Sequence, residues 1–212
     1  MKNFPFFTTE FGVAALTLRE LPYQGKAYIK ILDSLEPELL LKECASFCSM
    51  VGAEEIFASG YPFLEKYPLH TALWHMRCPL ASLGDTTASL WPVQTDTVAH
   101  FRSIYNDKVK RLPNSVWMDD EEENRMLAEG DGYFVHRDGH LLGIGRVKGD
   151  EIRFLASVEP GAGEDVLRAL AHAITGDTAI LEVASANDKA ISLYNRLGFI
   201  KTTELSRWYK IK

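Results

Sequence analysis

Residues 187–199 read NDKAISLYNRLGF. An Asn closes a turn, an amphipathic stretch carrying a single Tyr follows, and Gly198-Phe199 ends it just before the last extended segment, which predicts one short, firmly bounded helix. Immediately upstream, TAILEVAS (178–185) is a short apolar run rich in branched residues and predicts a buried strand leading straight into Asn187. Before it, EDVLRALAHAIT (164–175) has apolar residues at 166, 167, 170, 171 and 174, the spacing of one helix face, with acids in its first turn and Gly176 as a stop.

Further outward, EIRFLASV (151–158) predicts a strand, and GYFVHRDGHLLGIGRV (132–147) predicts a hairpin turned by Asp138-Gly139. SLWPV (89–93) is a strand, TVAHFRSIYNDKVKRL (97–112) a helix ending before Pro113, and DDEEENRMLAEG a shorter helix capped by Asp119 or Asp120. The predicted order from residue 89 is strand, helix, helix, three strands, helix, strand, helix and a last strand pair in KTTELSRWYKI.

A partial echo of this plan lies in the first 80 residues. ILDSLEPE (31–38) aligns with FLASVEPGAGE (154–164), each followed by a helix and by a short strand ending in Ala-Ser; AALTLREL and GKAYIKIL supply the preceding hairpin. The first copy has GYPFLEKYPLHT where the second has ANDKAISLYNRLGF, so only the second carries the Asn and the Tyr.

Composition narrows the classes of function. The chain has 212 residues, 46% of them apolar, enough for a sizeable core in one large domain or one and a half small ones. Its 23 basic and 29 acidic residues give a net charge of -6, which argues against binding a phosphate backbone. No run of 18 apolar residues occurs, and the opening MKNFPFFTTEFG lacks the pattern of a signal peptide. A soluble cytoplasmic protein without nucleic-acid or membrane partners is expected. Cys44 and Cys48 lie one helical turn apart with no second Cys/His pair, so core packing is expected rather than a metal site; Cys78 has no visible acid or base partner.

With its Asn, Tyr and Gly-Phe placed after a strand and on a helix, the opening stretch resembles the final motif of the GCN5-related N-acetyltransferases. Asn187, Ala190, Tyr194, Gly198 and Phe199 match that motif position for position, and the element order of residues 89–212 follows the family. The resemblance implies an α/β (α+β) acyl-CoA N-acyltransferase fold, with a mixed, mostly antiparallel central sheet flanked by helices. It places the N-acetyltransferase domain at residues 84–212 and a degenerate subdomain of similar plan at 1–83. The implied activity is transfer of an acetyl group from acetyl-CoA to a primary amine of a small molecule, amino acid or peptide, by direct attack in a ternary complex, in a monomer or homodimer. The alternative is a non-catalytic acyl-CoA-binding or interaction module.

The family's second signature is a Gly-rich loop whose amides hold the coenzyme pyrophosphate. Gly161, Ala162 and Gly163, running into Glu164 and Asp165, match its Gly-x-Gly end, but Val158 stands where the family carries Arg or Gln, and the loop is shorter than usual. Glycines and the unpaired N–H groups of a helix start favour a phosphate. Glu159, Glu164 and Asp165 oppose it, because they set carboxylates beside a diphosphate. The resemblance further implies that the amides of Leu155, Ala156, Ser157 and Val158 bond the pantetheine arm, that Asn187 is a polar group beside it, and that Tyr194 is the acid facing the sulfur. Glu182, His136 and His140 are weighed as general base without an assignment, and His172 is expected to face away. The acids of LPNSVWMDDEEEN, with Trp117 as a wall, are weighed as an amine-attracting surface against a capped, solvated helix start.

Overall fold

The computed structural model describes residues 6–110, 112 and 115–212. Pro113, expected to stop a helix, and the first five residues lie outside them. The chain divides into two compact units, Met1–Leu73 with Leu205–Lys212, and Trp74–Glu204. This differs from a division at 83/84 and returns the end of the chain to the first unit.

In the first unit, β1 (Phe6–Thr9), β2 (Gly12–Thr17) and β3 (Lys26–Ser34) form an antiparallel meander, with a short helix α1 (Leu21–Gln24) between β2 and β3. AALTLREL is thus a strand only to Thr17; Pro22 in the first turn of α1 starts a helix there instead. Helix α2 (Pro37–Met50) crosses to β4 (Glu55–Ser59), which pairs parallel with β3. The apolar stripe of α2, Leu40, Leu41, Cys44 and Cys48, is buried against Ala27, Ile29, Ile56 and Ala58. Both cysteines are core residues, and burial pushes the Cys44 thiol up to about 12 and the Cys48 thiol up to about 11. A 3-10 turn (Pro62–Lys66) and a strand not anticipated from sequence, β5 (Leu69–Pro79), follow.

The second unit carries β6 (Ser89–Pro92), α3 (Val98–Val109), α4 (Asp120–Glu129), β7 (Gly132–Arg137), β8 (His140–Lys148), β9 (Glu151–Ser157), α5 (Gly163–Ala171), β10 (Thr178–Ala184) and α6 (Asp188–Arg196). Its strands lie in the order β10-β9-β8-β7-β6, antiparallel except for the β9/β10 pair. The hairpin turns at Asp138 and Gly139, both with positive φ. Two cores sandwich the sheet. On one face Val135, Leu142, Val147 and Leu181 meet Val166, Leu167 and Leu170 of α5; on the other Phe134 and Ile144 meet Phe101 and Tyr105 of α3 and Met126 of α4.

Two corrections concern element ends. Helix α5 stops at Ala171 rather than near Thr175, because the Thr175 amide is drawn to Gly149 O at 3.2 Å and the chain must turn back toward β10. KTTELSRWYKI forms no strand pair; all of it but Ile211 lies within one strand, β11 (Ile200–Lys210). No Gly, Pro or Asn interrupts that stretch to make a turn. The end of β11 pairs antiparallel with β4, at Tyr209↔Ala58 and Lys210↔Phe57, which is why the last residues belong to the first unit.

The same plan therefore occurs twice: an antiparallel hairpin, a crossing helix and a parallel strand. The copies differ where the parallel strands part. β3 and β4 pair at five positions, from Lys26↔Glu55 to Lys30↔Ser59, the whole length of β4. Beyond it, Gly60 (φ 115°) lies so close to β3 that a Cβ would fall 2.2 Å from Ile31 O. The Tyr61 hydroxyl then donates to Ser34 O at 3.2 Å and accepts from Ser34 N at 2.8 Å. β9 and β10, by contrast, pair only at Glu151↔Ile180 and Ile152↔Leu181. The first cleft is sewn shut, and the second opens.

A buried ion cluster fastens α4 to the sheet. Arg146 of β8, 5% exposed, gives Nε and Nη2 to the two oxygens of Asp131 at 3.1 and 2.9 Å, and Nη1 to Glu122 at 2.6 Å. Such a cluster holds only while every member is paired.

All three thiols are fully buried. We expect a thiol reagent at about pH 8 to leave the native protein untouched and to modify three cysteines after denaturation; rapid native labelling would contradict this packing. Gly145→Ala should destabilise the fold by about 1–3 kcal/mol in chemical denaturation, since the new methyl would meet Leu170 Cδ1 at 2.3 Å.

Candidate active site

Helix α6 is closed at both ends by its own sequence. The Asn187 side chain accepts from Ala190 N at 3.3 Å, capping the first turn. At the other end Gly198 (φ 89°) is left-handed, its amide donating to Asn195 O at 3.1 Å, while the Phe199 amide donates to Tyr194 O at 2.9 Å. This is the paired-bond Gly stop, completed by the apolar contact it calls for: the Tyr194 and Phe199 rings lie 5.7 Å apart. Asn187, Tyr194, Gly198 and Phe199 thus each have a structural task. The burial of Tyr194, 7% exposed, raises its phenol well above the ordinary range, and its hydroxyl has no hydrogen-bond partner among the described residues.

The loop between β9 and α5 is a tight turn over 159–162. Pro160 and Gly161 (φ 86°) sit at its centre, and the Ala162 amide returns to Glu159 O at 3.2 Å. The Val158 and Glu159 amides both donate to Leu142 O, at 2.8 and 3.2 Å. Of the amides weighed for anion binding, those of Val158 and Ala162 are thus committed to protein acceptors. The amides of Gly163, Glu164 and Asp165, at the start of α5, have no backbone or side-chain acceptor among the described residues, and no side chain caps that helix. Gly163 leaves little room for a larger residue: a Cβ would lie 3.1 Å from Leu193 Cδ2.

On β9 the Val158 bond to β8 sets the alternation. Along an extended strand the amides of Leu155 and Ser157 point the other way, toward the side where β10 has departed. They face the gap left where β10 parts from β9, while Gly163, at the start of α5, packs against Leu193 of α6. Leu155 and Ala156 lie on opposite faces, Leu155 with the α5 core and Ala156 with the α3 core.

The acids at the helix start are neutralised in a way the sequence did not reveal. Asp165 accepts from Arg137 Nη1 at 2.9 Å and from Thr86 Oγ1 at 2.9 Å, one bond to each oxygen. Glu164 faces Arg168 Nη2 at 2.8 Å and Arg196 Nη2 at 3.6 Å, again one to each oxygen. The Glu164–Arg168 spacing of four was a readable signal; the Arg137 contact, 28 residues away across the hairpin, was not.

Glu182 is exposed on β10, one residue past Leu181, the last position paired with β9. His136 and Trp91, on the edge pair β6/β7, line a hollow of about 360 Å³, and burial lowers the His136 imidazole below its usual range. His140 is exposed beyond the turn, and His172 lies on the surface, 3.4 Å from Asp85. The acidic start of α4 is largely paired: Asp119 caps Glu122 N at 2.9 Å, and Arg102 holds Asp120 at 2.5 Å and Glu123 at 3.2 Å. Lys110 lies 5.8 Å over Trp117. Among the described residues no cluster of His, Cys, Asp and Glu can hold a metal ion, and no helix is long and apolar enough to cross a membrane.

A splayed parallel pair, a Gly turn and a helix start with unpaired amides make a recognisable frame. The sequence model of the FR47-like protein family matches residues 158–209, which span the turn, α5, β10, α6 and most of β11. Among solved structures the chain is similar to an acetyltransferase of the GNAT family from Colwellia psychrerythraea, with TM-score 0.53, 13% identity, and 98% of this chain and 84% of that one covered. The chain has the GCN5-related N-acetyltransferase fold. A tandem GNAT protein from the clavulanic acid biosynthesis pathway aligns with TM-score 0.56 at 14% identity, over 94% of this chain and 78% of that one, in keeping with a GCN5-related fold built from a repeat. A conserved protein of unknown function from Staphylococcus epidermidis aligns with TM-score 0.63 at 14% identity, over 99% and 94% of the two chains. A search of curated proteins finds no match.

If Asn187 acts as a cap, Asn187→Ala should cost about 1 kcal/mol of stability, whereas Asn187→Asp, which keeps the acceptor, should cost much less. Equal losses in thermal or denaturant melting would show that the amide has another task.

Proposed function

We propose that this protein transfers an acetyl group from acetyl-CoA to a primary amine. The observation that carries the reading is the parting of β9 from β10 after two paired residues, which leaves the Leu155 and Ser157 amides without a β10 partner a few residues before the unpaired amides at the start of α5. A pantetheine arm carries amides and carbonyls in an extended chain and fits an unpaired strand edge. A pyrophosphate fits free N–H groups at a helix start. The residues present therefore suit the coenzyme, although the loop is short and lacks the family's Arg or Gln. The missing cation is offset by the arginines that hold Glu164 and Asp165.

In this reading the neutral amine attacks the thioester carbonyl, the new N–C bond forms, the C–S bond breaks, and the amine's proton leaves to solvent. β9 amides turned toward the opening can polarise the carbonyl oxygen. Tyr194 faces the departing sulfur. Its role is set by magnitudes: a thiol has a pKa of about 8.5 and a free phenol about 10, so complete proton transfer from Tyr to thiolate is uphill by about 2 kcal/mol even before burial raises the phenol further. A hydrogen bond to the developing negative charge, with protonation completed from solvent, avoids that cost. The same burial keeps Tyr194 protonated throughout the neutral range.

Calorimetric titration with acetyl-CoA, followed by a screen of amines, amino acids and peptide N-termini with a labelled acetyl donor, tests the reading. Binding without transfer to any amine would favour a coenzyme-binding module, and no binding at about millimolar coenzyme would remove the enzyme reading altogether. Tyr194→Phe should lower kcat by at least about tenfold while leaving coenzyme affinity within about twofold, the pattern of an interaction made in the transition state.

A further inference from the structure

Two carboxylates in the first turn of α5 stand where the proposed coenzyme would bring a diphosphate. Left free, either could turn toward the loop, and a like charge at close range is strongly unfavourable in a partly desolvated site. Neither is free. The two oxygens of Asp165 are held from different elements, by Arg137 at the end of β7 and by Thr86 of the segment before β6, each at 2.9 Å. Side-chain exposures of 37% for Arg137 and 28% for Asp165 place the pair at the rim rather than in the core. Arg137 also lines a hollow of about 280 Å³ with Asp138, His140, Leu142 and Glu159, the residue that begins the Gly161 turn.

We propose that Arg137 is a positioning residue for anion binding: by holding Asp165 it neutralises the carboxylate beside the free amides of α5 and keeps it out of the path of a phosphate. The inference rests on the acetyl-CoA reading and deepens it. It explains how an acidic, shortened loop can receive a diphosphate without the Arg or Gln of the family's loop. Its essential feature is indirect action. Arg137 serves by cancelling Asp165, so its loss is harmful only while Asp165 remains.

That feature gives a double-mutant test, read as the affinity of the full-length protein for coenzyme A by calorimetry. Arg137→Gln should weaken binding about tenfold or more, Asp165→Asn should bind at least as tightly as wild type, and the double variant should return to within about threefold of Asp165→Asn. Arg137→Lys, which keeps the charge, should bind more tightly than Arg137→Gln. A rim pair of this exposure contributes little to stability, so melting temperatures should stay close to wild type. The inference is overturned if Arg137→Gln binds as wild type does, if the Lys variant is as weak as the Gln variant, or if the double variant stays as weak as Arg137→Gln, which would mean that Arg137 touches the ligand itself. Failure of wild type to bind coenzyme A would instead refute the acetyl-CoA reading, and this inference with it.

Discussion

The organisation of the second unit depends on where β9 and β10 stop being neighbours. Two strands that stayed paired would satisfy each other's amides and leave nothing to offer a ligand. Here the ladder ends after Ile152 and Leu181, while β9 continues to Ser157 along β8 alone. The gap is tolerable because β8 holds β9 on its other side and because α5 packs hard against β8, with Leu170 over Gly145 and Val166 over Gly143. A side chain at either glycine would lift the helix, and with it the unpaired amides at its start.

The first unit shows what the same plan becomes when that gap is closed. Its parallel strands pair along the full length of β4, Gly60 presses on Ile31, and Tyr61 fills the mouth with hydrogen bonds to Ser34. An internal side chain does there what a ligand would have to do in the other copy. Chains that fold twice from one plan can in this way keep one half as scaffold and one as site.

Much of this was legible in the residues. Period-two and helical spacing located most of the strands and long helices of the second plan and its echo, Asp138-Gly139 gave the hairpin turn, and the α4 cap was narrowed to Asp119 or Asp120, because those signals are local. What failed was decided at a distance. Thr175 is pulled from its helix by Gly149, and β11 runs on because β4 supplies it a partner. The charges were misjudged for the same reason. Glu164 and Asp165 read as an obstacle when only their neighbours in sequence are considered, whereas Arg137, Arg196 and Thr86 reach them only through the folded chain. The free amides of the candidate site are main-chain groups and leave no trace in residue identity at all.

The stretch that first suggested a family turns out to be a helix with a built-in start and stop. Asn187 and Gly198 set its ends, and Phe199 covers Tyr194. Selection for a stably delimited segment would preserve four of its five diagnostic letters even in a descendant that had lost all turnover. The signature is therefore a marker of ancestry and shape, and a catalogue assembled from it will count retired enzymes together with working ones.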